Sequence, residues 1–136
     1  MSANGETVQA NGKNILVVED DRYTNELVTS TLKMAGFQVV SVFTGEAAVE
    51  QVAKELPDLI VLDLLLPTMD GWEVFRSLRK AGSPAQIVPV LVASVVARYN
   101  FDPADVASGT LSLFNKPFLP NELLAEVQRM LGAVPA

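Results

Sequence analysis

The stretch PDLIVLDLLLPTMDG, Pro57 to Gly71, most restricts what this chain can fold into. Leu59 to Leu62 is apolar at every position, with Pro57 before it and Pro67 and Gly71 after it. A short run without alternation, closed by such residues, reads as a strand buried on both faces, as in a parallel sheet. Asp63 follows it directly. A carboxylate at the end of a buried strand is costly unless it has a charge partner or a metal, or only caps a turn at the surface. On this stretch alone both readings stand.

The rest of the chain repeats the pattern. Asn14 to Val18 (NILVV) reads as a first strand and ends in Glu19, Asp20 and Asp21. A helix follows, with Tyr23, Leu27, Val28, Thr31, Leu32 and Ala35 at helical spacing and Gly36 as its stop. Phe37 to Phe43 is a second strand with partial alternation, and Thr44 is the N-cap of a helix with Ala48, Val49, Val52, Ala53 and Leu56 inward. Pro57 ends that helix, and Asp58 to Leu62 is the third strand. The loop LLLPTMD reaches Gly71, where a helix carrying Val74, Phe75 and Leu78 begins, with Asp70 as a turn or N-cap residue. Ile87 to Ala93 is the fourth strand, with Ser94 behind it. Between Val95 and Ser108 only a short helix fits, because Asn100, Asp102 and Pro103 interrupt the pattern. Leu111 to Asn115 is the fifth strand, ending at Lys116-Pro117. Glu122 to Leu131 is a last amphipathic helix, with Leu123, Leu124, Val127, Met130 and Leu131 inward.

Strands alternating with helices mean βαβ units and a parallel sheet. Five of each in 136 residues fit one domain, a flavodoxin-like (βα)5 doubly wound α/β sandwich. Residues 1–12 are polar and without period, which predicts a flexible tail before a domain at 13–132, with 133–136 as a short C-terminal tail. In such sheets ligands bind outside the carboxyl ends of the strands.

At those ends the sequence puts Glu19 and Asp20 after the first strand, Asp63 after the third, Ser94 after the fourth and Lys116 after the fifth. Three carboxylates brought together repel, which points to a hard divalent cation, and Mg²⁺ leaves positions open for a phosphoryl group. A hydroxyl and an ammonium opposite the acids suit phosphoryl oxygens. One carboxylate can then act as nucleophile and form an aspartyl phosphate, and Asp63 on the central strand is the candidate.

Composition removes several other chemistries. The chain has no cysteine and no histidine, so disulfides, thiolate metal sites, imidazole bases and phosphohistidine are excluded. A net charge of −6 argues against direct nucleic-acid contact and against an anionic membrane surface. No apolar run reaches membrane-spanning length and no signal pattern opens the sequence, so the expected location is cytoplasmic.

With these residues in place the chain resembles a response-regulator receiver domain of two-component signalling. The matching pieces are ILVVEDD (Ile15 to Asp21), LIVLDLLLPTMDG (Leu59 to Gly71), PVLVAS (Pro89 to Ser94) and FNKPF (Phe114 to Phe118). The resemblance runs from Asn14 to about Leu131. It implies the strand order 2-1-3-4-5, with Asp63 as phosphoacceptor from the phosphohistidine of a sensor histidine kinase or phosphotransfer protein, or from a small donor such as acetyl phosphate. It further implies Mg²⁺ held by Asp20 and Asp63, by Glu19 through water, and by the backbone carbonyl of Leu65. Ser94 would hydrogen-bond the phosphoryl group, Lys116 would pair with it, and the Lys116-Pro117 peptide would be cis.

Two positions depart from the family pattern. The residue three before the lysine is often Tyr or Phe and here is Leu113, next to Phe114; the residue after the hydroxyl is commonly Ala or Gly and here is Val95. Val95, Val96 and Leu65 make the mouth of the site apolar, which predicts slow entry of donor and water and a long-lived phosphoryl group. Tyr99 and Phe101 are candidate partner contacts or packing residues, and Trp72 a packing or surface residue. The expected function is a receiver, stand-alone or one domain of a larger regulator or hybrid kinase, that signals by docking to a downstream protein and catalyses nothing beyond its own phosphorylation and dephosphorylation. The alternative is a pseudo-receiver, a constitutive interaction module without phosphorylation. A metal-dependent phosphatase would use Asp63 with a second acid two residues on, where this chain has Leu65.

Overall fold

The computed structural model describes residues 12–80, 82–95, 101, 104 and 109–132. Its elements are β1 (Asn14–Val18), α1 (Arg22–Met34), β2 (Gln38–Val42), α2 (Gly45–Lys54), β3 (Leu59–Leu62), α3 (Gly71–Arg79), β4 (Val90–Ser94), β5 (Leu111–Asn115) and α4 (Pro120–Met130). The five strands form one parallel sheet in the order β2-β1-β3-β4-β5, as the resemblance implied.

The strands lack alternation because both faces are covered. Leu16, Val18, Ile60, Leu62, Val90 and Val92 point to the side of α2 and α3, where Ala48, Val74 and Leu78 pack on them. Their neighbours Ile15, Val17, Leu59, Val61, Leu91 and Ala93 point to α1 and α4, against Val28, Leu32, Leu123 and Val127. Each successive residue of β1, β3 and β4 thus serves the opposite face, which is why these strands read as continuous apolar runs.

Three helices begin with a side-chain cap. Asp21 accepts the Thr24 N–H at 2.9 Å, Thr44 accepts the Ala47 N–H at 3.1 Å, and Asp70 forms a reciprocal box with Glu73. Asp70 is therefore an N-cap residue. α4 has no such cap, but Pro120 sits in its first turn and the Glu122 carboxylate accepts the Leu119 N–H.

Several boundaries differ from expectation. Tyr23 lies outward on α1, 74% exposed, while Asn25 takes the inward position. α2 closes at Lys54, so Leu56 is past the helix and 45% exposed. The fourth strand starts at Val90. Residues 83–88 form tight turns, with Gln86 N–H donating to Ser83 O and Val88 N–H to Ala85 O, and these leave Ile87 78% exposed. Ser94 is the last residue of β4 itself.

Residues 1–11 and 133–136 of the expected tails, Tyr99, Val96 and most of the expected helix between 95 and 108 lie outside the described residues. Phe101 is described and is a packing residue: its ring lies 4.6 Å from Trp72 and 5.1 Å from Phe75, and it rests on the core beneath α3.

Candidate functional site

Strand register brings the expected residues together. Val18 pairs with Leu62, so Glu19 and Asp63 leave neighbouring strands at one level, and the Asp63 N–H still donates to Val18 O at 3.0 Å. Leu62 pairs with Val92 and Val92 with Leu113, which carries Ser94 and Lys116 to the same rim. The Lys116 N–H donates to Ser94 O at 3.1 Å. The Lys116-Pro117 peptide is cis, as the resemblance implied.

Glu19 and Asp63 are each only 5% exposed, and Ser94 is fully buried. The Lys116 Nζ lies 2.6 Å from Glu19 Oε1 and 2.9 Å from Asp63 Oδ2, joining the ends of β1, β3 and β5. The second oxygen of each acid is also held. Asp21 N–H donates to Glu19 Oε2 at 3.0 Å, and Leu65 N–H donates to Asp63 Oδ1 at 3.1 Å. Asp20 is exposed beside them, and one carboxylate oxygen from each of Glu19, Asp20 and Asp63 falls within 4.8 Å of the others.

The electrostatics follow from this crowding. Burial pushes the Glu19 carboxyl above its ordinary range; the hydrogen bonds from Lys116 and the Asp21 amide offset part of that, and the charge of Asp63 adds to it. For Lys116 burial works the other way, but the hydrogen bonds to Glu19 and Asp63 outweigh it and raise its pKa. Among the described residues one ammonium therefore contacts two of the three clustered carboxyl groups, an under-neutralised set of hard oxygen donors. Such a donor set fits Mg²⁺.

The loop between β3 and α3 is held close to this site. Gly71 N–H donates to Leu64 O at 2.9 Å, and Gly71 packs directly on the backbone of Asp63 and Leu64. Leu65, in the loop after β3, and Val95, directly after β4, are 53% and 57% exposed. Leu113 is half-buried against the core under α2 and α3, while Phe114 packs on the opposite face with its ring 6.3 Å from Phe118. The position three before Lys116 thus carries no ring.

Asn25 went unremarked in the sequence. Its side chain is 1% exposed and donates to Glu19 O at 2.9 Å and to Val42 O at 3.1 Å. The available signal was its spacing: it stands three residues before Val28 and seven before Leu32, on the inward stripe of α1.

Comparison with known proteins agrees with this geometry. A family model described as the response regulator receiver domain matches residues 15–128. The response regulator MprA of Mycobacterium leprae (strain TN) is 36% identical over 117 residues, covering 86% of this chain and 50% of that protein. The chain spans about half the length of the curated relatives it matches. Among solved structures, the receiver domain of a signal transduction histidine kinase from Syntrophus aciditrophicus superposes with a TM-score of 0.72 at 31% identity, covering 90% of this chain and 92% of that one. The chemotaxis response regulator CheY4 of Vibrio cholerae gives a TM-score of 0.71 at 26% identity, covering 88% and 99%. Among the described residues no helix is long and apolar enough to cross a membrane. With its sheet order, its rim of acids and the match along most of its length, the chain belongs to the response regulator receiver domain family of two-component signalling.

Proposed function

We propose that this chain is a phosphorylation-controlled switch in which Asp63 accepts a phosphoryl group from the phosphohistidine of a sensor histidine kinase or phosphotransfer protein. The carrying observation is the Lys116 ammonium spanning Glu19 and Asp63 from the last strand of the sheet. A carboxylate oxygen of Asp63 attacks phosphorus; the phosphorus–nitrogen bond breaks and the pair returns to the donor imidazole. Lys116, already 2.9 Å from Asp63 Oδ2, follows the negative charge onto the phosphoryl oxygens, and the Leu65 amide stays directed at the same carboxylate. Ser94 supplies a hydroxyl to the phosphoryl group from the end of β4. Asp20, Asp63 and the backbone carbonyl of Leu65 would hold Mg²⁺, with Glu19 engaging it through water. The ion would neutralise charge on the transferring oxygens.

The domain is taken as residues 13–132, a cytoplasmic signalling module with no catalysis beyond its own phosphorylation and dephosphorylation. Signalling then proceeds by docking to a downstream protein. The test is intact-mass spectrometry of wild type and Asp63→Asn after incubation with Mg²⁺ and acetyl phosphate, with beryllofluoride binding in parallel. One phosphoryl adduct needing both Mg²⁺ and Asp63 is expected. Absence of adduct and of beryllofluoride binding would refute the proposal and leave the pseudo-receiver, a reading that draws on Leu113 and the apolar mouth.

A further inference from the structure

We propose that Asn25 is a positioning residue for the cation site: its amide fixes the peptide that aims Asp20. This rests on the reading of Glu19, Asp20 and Asp63 as an Mg²⁺ site. The ladder between β1 and β2 ends at the pair Val18 and Val42, with one further bond from Glu19 N–H to Val42 O at 3.2 Å. Beyond that bond the Glu19 carbonyl points out of the ladder. Asn25 supplies it with a donor at 2.9 Å and donates to Val42 O as well, so one side chain from α1 clasps the ends of two strands. Thr29 Oγ1 donates to Asn25 Oδ1 at 3.2 Å, which fixes the amide with its nitrogen toward the carbonyls.

The consequence falls on the next residue. Glu19 is held at both backbone groups by Val42 and Asn25, and at both carboxylate oxygens by Lys116 and the Asp21 amide. Asp20 is the exposed acid of the cluster and is joined to this held residue by the Glu19–Asp20 peptide. A leucine in place of Asn25 would continue the apolar stripe of Val28 and Leu32 and leave that peptide without its donor. A buried amide on this stripe is costly unless its hydrogen bonds are made, and both of its donors are spent on the rim.

The experiment is calorimetric titration of the full chain with Mg²⁺ alone, for wild type, Asn25→Ala and Thr29→Val, each with a thermal melt. Loss of a group that orients metal ligands typically weakens binding about 10–100-fold, so Asn25→Ala is expected to raise the Mg²⁺ Kd by about tenfold or more. Thr29→Val keeps the shape and frees only the amide, and is expected to raise it by less; it carries the test if Asn25→Ala does not fold. At saturating Mg²⁺ the rate of Asp63 phosphorylation by acetyl phosphate should return to wild type; both readings are taken well below each variant's melting temperature, where all chains are folded and destabilisation does not enter the Kd. A lowered melting temperature with unchanged Mg²⁺ affinity in the folded variants would overturn the role of Asn25. Wild type that binds no Mg²⁺ would instead overturn the metal site, and this inference with it.

Discussion

Gly71→Ala would strike the site through the backbone alone. Gly71 opens α3 and is buried, and a Cβ there would meet Leu64 Cα at 2.5 Å and press on the Asp63 carbonyl oxygen. These are backbone atoms, which cannot swing aside as the end of a side chain can. Ordinary overpacking costs about 1–3 kcal/mol. Because the strain also acts on the 2.9 Å bond from Gly71 N–H to Leu64 O, about 3 kcal/mol is expected. For a domain of this size that is a fall in melting temperature of about 12 °C. The atoms it presses on belong to the backbone of Asp63 and Leu64, so beryllofluoride affinity should drop as well. The control is Gly82→Ala, where φ is +85° and nothing lies within 4 Å, so only the left-handed backbone is penalised, by about 1 kcal/mol. Melts followed by circular dichroism, with beryllofluoride titration, decide it. If Gly71→Ala melts no lower than Gly82→Ala and binds beryllofluoride like wild type, the close packing of this loop on Asp63 is refuted.

Lys116→Met removes the cation between two acids that are each 5% exposed. Breaking a fully buried pair costs about 3–5 kcal/mol; with the lysine side chain 20% exposed we expect about 2–3 kcal/mol, and Mg²⁺ should recover more stability in the variant than in wild type. Leu65→Asn, which replaces a 53% exposed apolar side chain at the mouth, should shorten the phosphoryl half-life measured by intact mass, whereas an unchanged half-life would remove the apolar barrier from the account. Glu126 accepts from Arg129 Nε at 2.8 Å and from Ser112 Oγ at 2.5 Å, and the bonds from Arg129 and then Ser112 hold its pKa below the ordinary 4.5 despite some burial. A depressed carboxyl stabilises the fold above its unfolded value and loses that contribution as pH falls through the folded one. Glu126→Gln should therefore melt lower than wild type at pH 7, with the gap closing below about pH 4.5.

The strands and the rim were legible because doubly covered strands leave uninterrupted apolar runs, and a polar residue behind such a run can only stand at its end. Asp63 and Glu19 were read in this way. Positions set by tertiary packing were not. Ile87 looks like strand, yet two tight turns ahead of Pro89 throw it outward. Leu56 fits the helical period of α2 but lies beyond its end. Asn25 and Tyr23 exchange the roles that polarity suggests, since the space beneath α1 holds two carbonyls needing a donor. Phe101 gave no local sign that Trp72 and Phe75 would receive it.

The Lys116 bridge also joins parts of the chain that are far apart in sequence. Lys116 is 97 residues from Glu19 and 53 from Asp63, and no parallel pair in this sheet can close as a local hairpin. A chain emerging from the ribosome completes β1, β3 and their acids long before it makes β5. Until then the carboxylates stand without this ammonium. The rim that would receive the phosphoryl group is thus complete only with a finished sheet, because its lysine stands directly behind the last strand.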